Sequence, residues 1–332
     1  MNIEELEKKF HAGPATVVVV GSINLDLNSF VEKFPLPHQT IRAKDSNLSA
    51  GGKGFNQAVA AARAGATVYF VGCIGDDLSG LTAVKTLQEN GVNTDFIKKI
   101  SDVHTGTANI LVADGGANMI AVSAGANKEL KVEDVIRAKA VIAQADVLVC
   151  QLECPLDVVE FALQTARSQG VITVLNPAPA AEDVSQHLSL TDYVTPNELE
   201  ALEITGFDPA QPSQRHVAAE KLKSLGSLGS VITLGDVGAY LSDKKGKHYM
   251  LNAYSVDAIN STGAGDIFNG AFSCGLSRGY SLVEAAVYAS AASAISVTAK
   301  STYDSAPIHS QIIQFIDQQG DYSCDLLQEN EL

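Results

Sequence analysis

Positive charge is scarce in this chain of 332 residues. It carries 23 lysines and arginines against 38 aspartates and glutamates, a formal net charge of −15. That balance excludes non-specific binding of nucleic acid and docking on anionic membranes. It leaves a nucleotide ligand open, because backbone amides bind phosphates without a basic surface. Cysteine is sparse as well. Cys73, Cys150, Cys154, Cys274 and Cys324 are scattered and odd in number, which excludes a disulfide framework. Cys150 and Cys154 have no second Cys/His pair nearby to complete a zinc site. Reduced thiols of this kind fit a cytoplasmic protein. No apolar run reaches the length of a membrane span, and residues 1–12 lack the apolar stretch of a signal peptide. Repeats and low-complexity segments are absent too.

What is present is the material for a large core: 46% of the residues are hydrophobic, enough for one large α/β domain or two ordinary ones. Continuous β-branched or apolar runs recur at 16–20, 67–72, 145–150, 171–176, 193–195 and 230–235. Such runs mark strands buried on both faces. Helical stretches separate them, at 56–64, 81–90, 155–169 and 217–225. The alternation predicts a mostly parallel, Rossmann-like sheet with helices on both faces. Two segments break the pattern. Residues 25–49 alternate polar and apolar around Pro35 and Pro37, and 106–126 reads as two strands about Asp114-Gly115-Gly116. Both read as half-exposed antiparallel strands that pair into a small lid. The domain is expected to span 14–320, after an N-terminal extension at 1–13 that looks like a short helix. Residues 321–332 are expected to be an acidic, frayed C-terminal tail without function.

The stretch richest in chemical meaning is Asn260-Ser261-Thr262-Gly263-Ala264-Gly265-Asp266, which runs into a helix. Small residues there leave backbone N–H groups uncovered at the positive end of a helix, a seat for a phosphoryl group. A carboxylate in that seat would repel phosphate, unless it takes a proton from the hydroxyl that attacks phosphorus. Gly51-Gly52-Lys53-Gly54 precedes an alanine-rich helix; its lysine is misplaced for a Walker A loop, and the turn is a ligand site or a packing device. Asn24 and Asp26 end the first buried strand and point the same way, suited to vicinal hydroxyls or to an Asx turn. Glu153 follows another strand and accepts a hydroxyl or sits by a helix start. Asn176-Pro177-Ala178-Pro179 reads as structural. Asn197 and Glu200 share one side of a helix start, where they serve hydrated Mg2+ or a helix cap. The small residues from Thr233 through Gly235 to Gly238 let a nucleotide lie on the backbone. In a parallel sheet the loops after successive strands share one edge, so these weak signals converge.

Taken together, these motifs resemble the ribokinase-like carbohydrate kinases of the phosphofructokinase-B group, over roughly residues 16–317. The resemblance implies ATP-dependent phosphorylation of a sugar hydroxyl, the 5-hydroxyl where the sugar is a pentose such as ribose or deoxyribose. It makes Asp266 the base and the amides of Gly263, Ala264 and Gly265 the anion hole. Asn24, Asp26, Gly52, Lys53, Asn56 and Glu153 would hold the sugar. Asn197, Thr233, Gly235, Gly238 and Gly265 would line the nucleotide site, and Asn197 and Glu200 would organise Mg2+ largely through water. A K+ site would draw on Asn260, Thr262, Ser301 and Ser305, and members often form homodimers through the lid sheet.

The sequence departs from that pattern in places. Asn260 stands where an aspartate is usual and Ser301 where a glycine is, which weakens a K+ site. Phe55 replaces a small residue beside the sugar loop, and Leu36-Pro37-His38-Gln39-Thr40 lacks the common Pro-Gly-Glu-Thr of the lid; both bear on which sugar fits. A non-catalytic sugar- or nucleotide-responsive regulator on the same scaffold is the alternative. A nicotinamide dehydrogenase is disfavoured because Gly21-Ser22-Ile23-Asn24 replaces Gly-x-Gly-x-x-Gly. Lys53 alone is thin support for a sugar phosphate, and a nucleoside stays open.

Overall fold

The first β-branched run becomes the middle of a large sheet. In the computed structural model, which describes residues 3–114, 117–180, 184–299, 303–320 and 324–327, fourteen strands form two sheets. They are β1 (Thr16–Val20), β2 (Asn24–Val31), β3 (Asp45–Gly51), β4 (Thr67–Gly75), β5 (Val92–Ile100), β6 (Gly106–Ala113), β7 (Asn118–Ser123), β8 (Val147–Cys150), β9 (Ile172–Leu175), β10 (Tyr193–Val194), β11 (Gly229–Thr233), β12 (Gly238–Ser242), β13 (His248–Asn252) and β14 (Cys324–Leu326). The main sheet has 10 strands in the order β14-β13-β12-β11-β10-β9-β8-β1-β4-β5. From β11 to β5 every pairing is parallel, and β12, β13 and β14 add antiparallel strands at one edge. Valines on alternate faces of β1 enter two different core clusters: Val17 and Val19 pack on one side, Val18 and Val20 on the other. A strand covered on both faces needs such an unbroken apolar run.

The lid is a four-stranded sheet in the order β3-β2-β6-β7. Its composition of strands agrees with the sequence reading, but one pairing does not. β2 and β6 run parallel, while β2 with β3 and β6 with β7 are antiparallel. Local hairpin signals fix the two outer pairs; β6 arrives at β2 after a crossover through the main sheet, which parallel pairing requires. Gly115 and Gly116 of the expected β6–β7 turn lie outside the described residues. The lid is rooted at the active edge: Asn24 pairs with Gly51 on one side and Gly106 on the other. A Cβ on Gly106 would lie 2.2 Å from Asn24 Oδ1, so only glycine fits there. In the β2–β3 loop His38 adopts φ 66°, a left-handed conformation that suits glycine. Replacing His38 by glycine is expected to raise stability by up to about 1 kcal/mol, read as an upward shift in chemical denaturation midpoint.

The tail departs from expectation. Cys324–Leu326 pairs with β13 as the tenth strand, because β13 would otherwise present an open edge. The N-terminal helix Ile3–Phe10 forms as expected and buries Leu6 completely. Phe10 stacks on His309 with ring centroids 3.3 Å apart, and Lys9 pairs with Glu284 at 2.8 Å. All five cysteines are free. No helix among the described residues is long and apolar enough to cross a membrane.

Candidate active site

Five loops leave the carboxyl ends of parallel strands on one edge of the main sheet. They carry Gly21–Asn24 after β1, Gln151 and Glu153 after β8, Asn176 after β9, Thr195 and Asn197 after β10, and Gly235 after β11. Open α/β sheets bind ligands at this edge. The helices Lys53–Arg63 and Ala264–Ser277 start there as well, each after a glycine with positive φ: Gly52 at 94° and Gly263 at 76°.

Asp266 lies in the first turn of the helix Ala264–Ser277 and is buried. Its two carboxylate oxygens have separate donors. Asn56 Nδ2 donates to Oδ2 at 3.0 Å, and Gln57 Nε2 donates to Oδ1 at 3.2 Å. Burial pushes the Asp266 carboxyl above the usual range, against the charge of Lys53 and these two amides. Burial also acts on Lys53, lowering its pKa, but the carboxylates of Asp266, Glu153 and Glu200 outweigh it and hold the ammonium charged. Asn56 Oδ1 is buried beside the carboxylate with no hydrogen-bond partner among the described residues.

The anion loop is narrower than the sequence reading held. Among the described residues, the N–H groups of Gly263 and Gly265 have no backbone acceptor, whereas that of Ala264 donates to Ser261 O at 3.1 Å. The turn into the helix takes the Ala264 amide, so its N–H is not part of the open cradle. A Cβ added to Gly265 would meet no atom within 4 Å. The cradle is open space, not plugged.

Two cavities meet at this point. A polar one of about 180 Å3 is lined by Lys53, Asn176, Thr195, Glu200, Asp266 and Asn269, among others. A larger one of about 650 Å3 has an apolar wall that includes Tyr254, Val256, Phe268, Ala294 and Val297. Asn197, Thr233 and Gly265 line both. Every residue assigned to the nucleotide site from sequence lines the larger cavity. Gly238 is needed there for a second reason: at φ 123° its Cβ would lie 1.9 Å from Leu251 O across the β12–β13 pairing.

The residues assigned to the sugar gather at the lid root. Glu153 accepts from Ser22 Oγ and, at 3.2 Å, from Lys53 N–H. Asp26 lies against Gly51, where a Cβ would come within 2.1 Å of its Oδ2. Burial and the charges of Glu153 and Asp266 push the Asp26 carboxyl up to about 7. Asn24 Oδ1 accepts from Asn127 Nδ2 at 2.8 Å, and Asn127 also clamps both backbone groups of Ile23. Sequence reasoning missed Asn127, because a single amide in a short turn carries no pattern. Phe55, expected to bear on which sugar fits, turns into the core. It is fully buried and packs edge-on against Tyr303 at 5.3 Å, since its neighbours Asn56 and Gln57 take the polar face of the helix start.

Asn197 and Glu200 form a reciprocal capping box, with Glu200 N–H donating to Asn197 Oδ1 at 2.8 Å and Asn197 N–H to Glu200 Oε2 at 2.9 Å. The cap alternative is therefore realised, while both side chains still line the polar cavity. Burial raises the Glu200 carboxyl, opposed by the Asn197 amide and by Lys53. No three His, Cys, Asp or Glu side chains among the described residues form a metal cage. The Asn260 side chain closes an Asx turn, its Oδ1 accepting from Thr262 N–H at 3.0 Å. Ser305 ends a short turn at Tyr303–Ser305, and Ser301 lies outside the described residues.

Comparison with known proteins agrees with this geometry. The family model for pfkB family carbohydrate kinases matches residues 14–309. A ribokinase of Haemophilus influenzae is 42% identical over 302 residues, covering 91% of this chain and 98% of that protein. A deoxyribokinase of Salmonella typhimurium is 31% identical over 301 residues, covering 90% and 98%. The solved ribokinase of Arabidopsis thaliana, complexed with ribose and ATP, superposes with a TM-score of 0.84 at 27% identity, covering 92% of this chain and 99% of that one. The chain belongs to the pfkB family of carbohydrate kinases.

Proposed function

We propose that this pfkB-family chain transfers the γ-phosphoryl group of ATP to the 5-hydroxyl of ribose, with Asp266 as the base. One observation carries the reading. A buried carboxylate gripped by two amides stands beside two unengaged backbone N–H groups, at the seam of an apolar and a polar cavity. The similarity to ribokinases that span nearly their whole length with this chain supports ribose as the acceptor.

In this reading ATP occupies the larger cavity against Thr233, Gly235 and the apolar wall. Its phosphates reach the start of the helix Ala264–Ser277, where the Gly263 and Gly265 amides and the helix dipole stabilise the charge that develops on the transferred group. Asn24, Asp26, Gly52, Lys53, Asn56 and Glu153 hold the sugar. Asp266 removes the proton of the hydroxyl, the oxygen forms the new bond to phosphorus, and the bond to the β-phosphate breaks to release ADP. The Lys53 ammonium sits among carboxylates and balances their charge as the phosphates arrive.

Mg2+ fits the residues present. With Asp266 assigned to the hydroxyl, the partly buried Glu200 without a protein cage suits a hydrated ion carried mainly by phosphates, whose waters Glu200 and Asn197 would order. When bound, Mg2+ neutralises phosphate charge. The residues carried over for K+ fit that ion poorly, because Asn260 has no charge and its oxygen accepts from Thr262 N–H. No K+ step enters the mechanism. The exposed Leu48, Met119, Ile120 and Val122 of the lid support a homodimer through that sheet. Five free cysteines support a cytoplasmic location.

A coupled assay of ADP formation over a sugar panel tests the function. Ribose is expected to give the highest kcat/KM, ahead of deoxyribose. Absence of turnover with every sugar, despite ligand-induced stabilisation, would instead mark a regulator.

The Asp26 carboxyl supplies a pH signature. Its ionised form is the one that accepts sugar hydroxyls. With its pKa up at about 7, ribose affinity is expected to fall about tenfold from pH 8 to pH 6. The unliganded fold responds in the opposite sense. A carboxyl whose folded pKa is raised contributes stability that is complete below the unfolded value of 3.8 and is lost as pH rises through about 7. Calorimetric ribose binding at the two pH values, with Asp26→Asn as control, checks this. A pH-independent affinity would refute it.

A further inference from the structure

Gln57 is fully buried, and its side-chain amide makes three hydrogen bonds. Nε2 donates to Asp266 Oδ1 at 3.2 Å and to Asn176 Oδ1 at 3.0 Å, and Oε1 accepts from Gln151 Nε2 at 2.7 Å. Its full capacity for donation is thus divided between the proposed base and the end of β9. The sense of the amide is fixed from outside. Asn176 Nδ2 donates to Thr195 O at 3.2 Å, which leaves Asn176 Oδ1 to face Gln57. Turning the Gln57 amide over would set its oxygen against Asp266 Oδ1 and Asn176 Oδ1, and its nitrogen against Gln151 Nε2. Gln151 Oε1 has no partner among the described residues, so Gln151 can turn with it, but two acceptor–acceptor contacts would remain, and Asp266 and Asn176 thus select one orientation.

The same network reaches the anion loop. Thr195 Oγ1 donates to Asn269 Oδ1, and Asn269 Nδ2 donates to Gly265 O at 2.8 Å. Gln57 lines neither cavity. Its complete burial leaves it to act on the base rather than on a substrate. With Asn56 on Oδ2 and Gln57 on Oδ1, the carboxylate cannot rotate about its Cβ–Cγ bond without losing both donors.

We propose that Gln57 is a positioning residue for phosphoryl transfer: its amide, held in one sense by Asn176 and steadied by Gln151, fixes the plane of the Asp266 carboxylate relative to the anion loop. The proposal rests on the reading of Asp266 as the base. Reaction geometry is steep, and a displacement near 1 Å costs about 100-fold in rate.

The test compares Gln57→Met, Gln151→Met and Asp266→Asn with the unmodified protein, measuring kcat and KM for ribose and ATP per folded molecule. Methionine keeps the length of the side chain and removes the amide. Gln57→Met is expected to lower kcat roughly 10- to 100-fold, with both KM values within about threefold. Gln151→Met leaves Gln57 and Asp266 in place but removes the donor to Gln57 Oε1 and loosens that amide, and is expected to lower kcat in the same way by a smaller factor. A role in packing alone would lower the melting temperature and leave kcat per folded molecule within twofold, which would overturn the proposal. Should Gln57→Met not fold, an unchanged kcat in Gln151→Met would overturn it. Substantial turnover by Asp266→Asn would refute the base instead. A silent Asp266→Asn beside a normal Gln57→Met would remove only the positioning role.

Discussion

Asp266→Asn is expected to lower kcat by about 10³-fold or more while ATP still binds. Asparagine keeps the shape of the side chain and one oxygen, but it cannot accept the hydroxyl proton. Asn56 Nδ2 and Gln57 Nε2 both donate to this position, so the new amide brings its own N–H group against one of them. That local conflict is partly offset, because the variant no longer buries a charge. Net stability should change little. Loss of turnover through unfolding would be seen as loss of the shift in melting temperature that ATP induces, which we expect to persist. The larger cavity is formed without the Asp266 side chain, so nucleotide binding and chemistry separate cleanly in this variant.

Gly265→Ala should divide stability from activity in the opposite way to most core substitutions. Gly265 lies in the first turn of a helix at a negative φ, and a Cβ there meets nothing within 4 Å. Alanine is the better helix former, so the fold should hold or gain about 0.5–1 kcal/mol. The added methyl, however, enters the open cradle where the two cavities meet. Displacing the phosphoryl group by the better part of an ångström is expected to lower kcat about 100-fold. The N–H survives the change, so the loss would report on the space and not on the donor. Thermal melting and steady-state kinetics on one preparation check both halves. Normal kcat would mean that the γ-phosphoryl group does not sit over Gly265.

Much of the scaffold could be read in advance from β-branched runs. β1, β4, β8 and β11 are buried on both faces, and that environment demands continuous apolar sequence. β5, β12 and β13 escaped because they lie towards the sheet's margins. Val92–Ile100 is mostly half-buried and carries Asn93, Asp95, Lys98 and Lys99 in a single strand. The β12–β13 hairpin did have a signal, since Asp243 and Gly246 close a turn in which Asp243 Oδ1 accepts from the Lys245 and Lys247 amides. The parallel pairing of β2 with β6 had none, because no local feature records which distant strand fills an edge.

The site was legible wherever a loop had to be small or charged. Glycine before a helix and an acid inside its first turn are rare together and point to one chemistry. The amides that organise the acid were harder to find. Gln57, Gln151, Asn176, Thr195 and Asn269 come from five separate elements, and neutral side chains leave no charge pattern. Their importance arises from burial and from the direction of each donor, which only the folded chain defines. The prolines after Asn176 drew attention to backbone shape, while the adjacent amide carried the connection. The Asn197–Glu200 spacing supported two readings because a capping box and a hydrated cation both need an amide and a carboxylate at a helix start.

Phosphorus NMR of a mixture of protein, ribose, ATP and Mg2+ addresses the base assignment and the acceptor hydroxyl together. A phosphomonoester signal split by the two protons of carbon 5 should grow with the unmodified protein as the γ signal of ATP fades, and should be absent with Asp266→Asn at the same protein concentration and time. The same signal rising at an equal rate in the variant, or phosphate released to water in place of an ester, would contradict proton abstraction by this carboxylate.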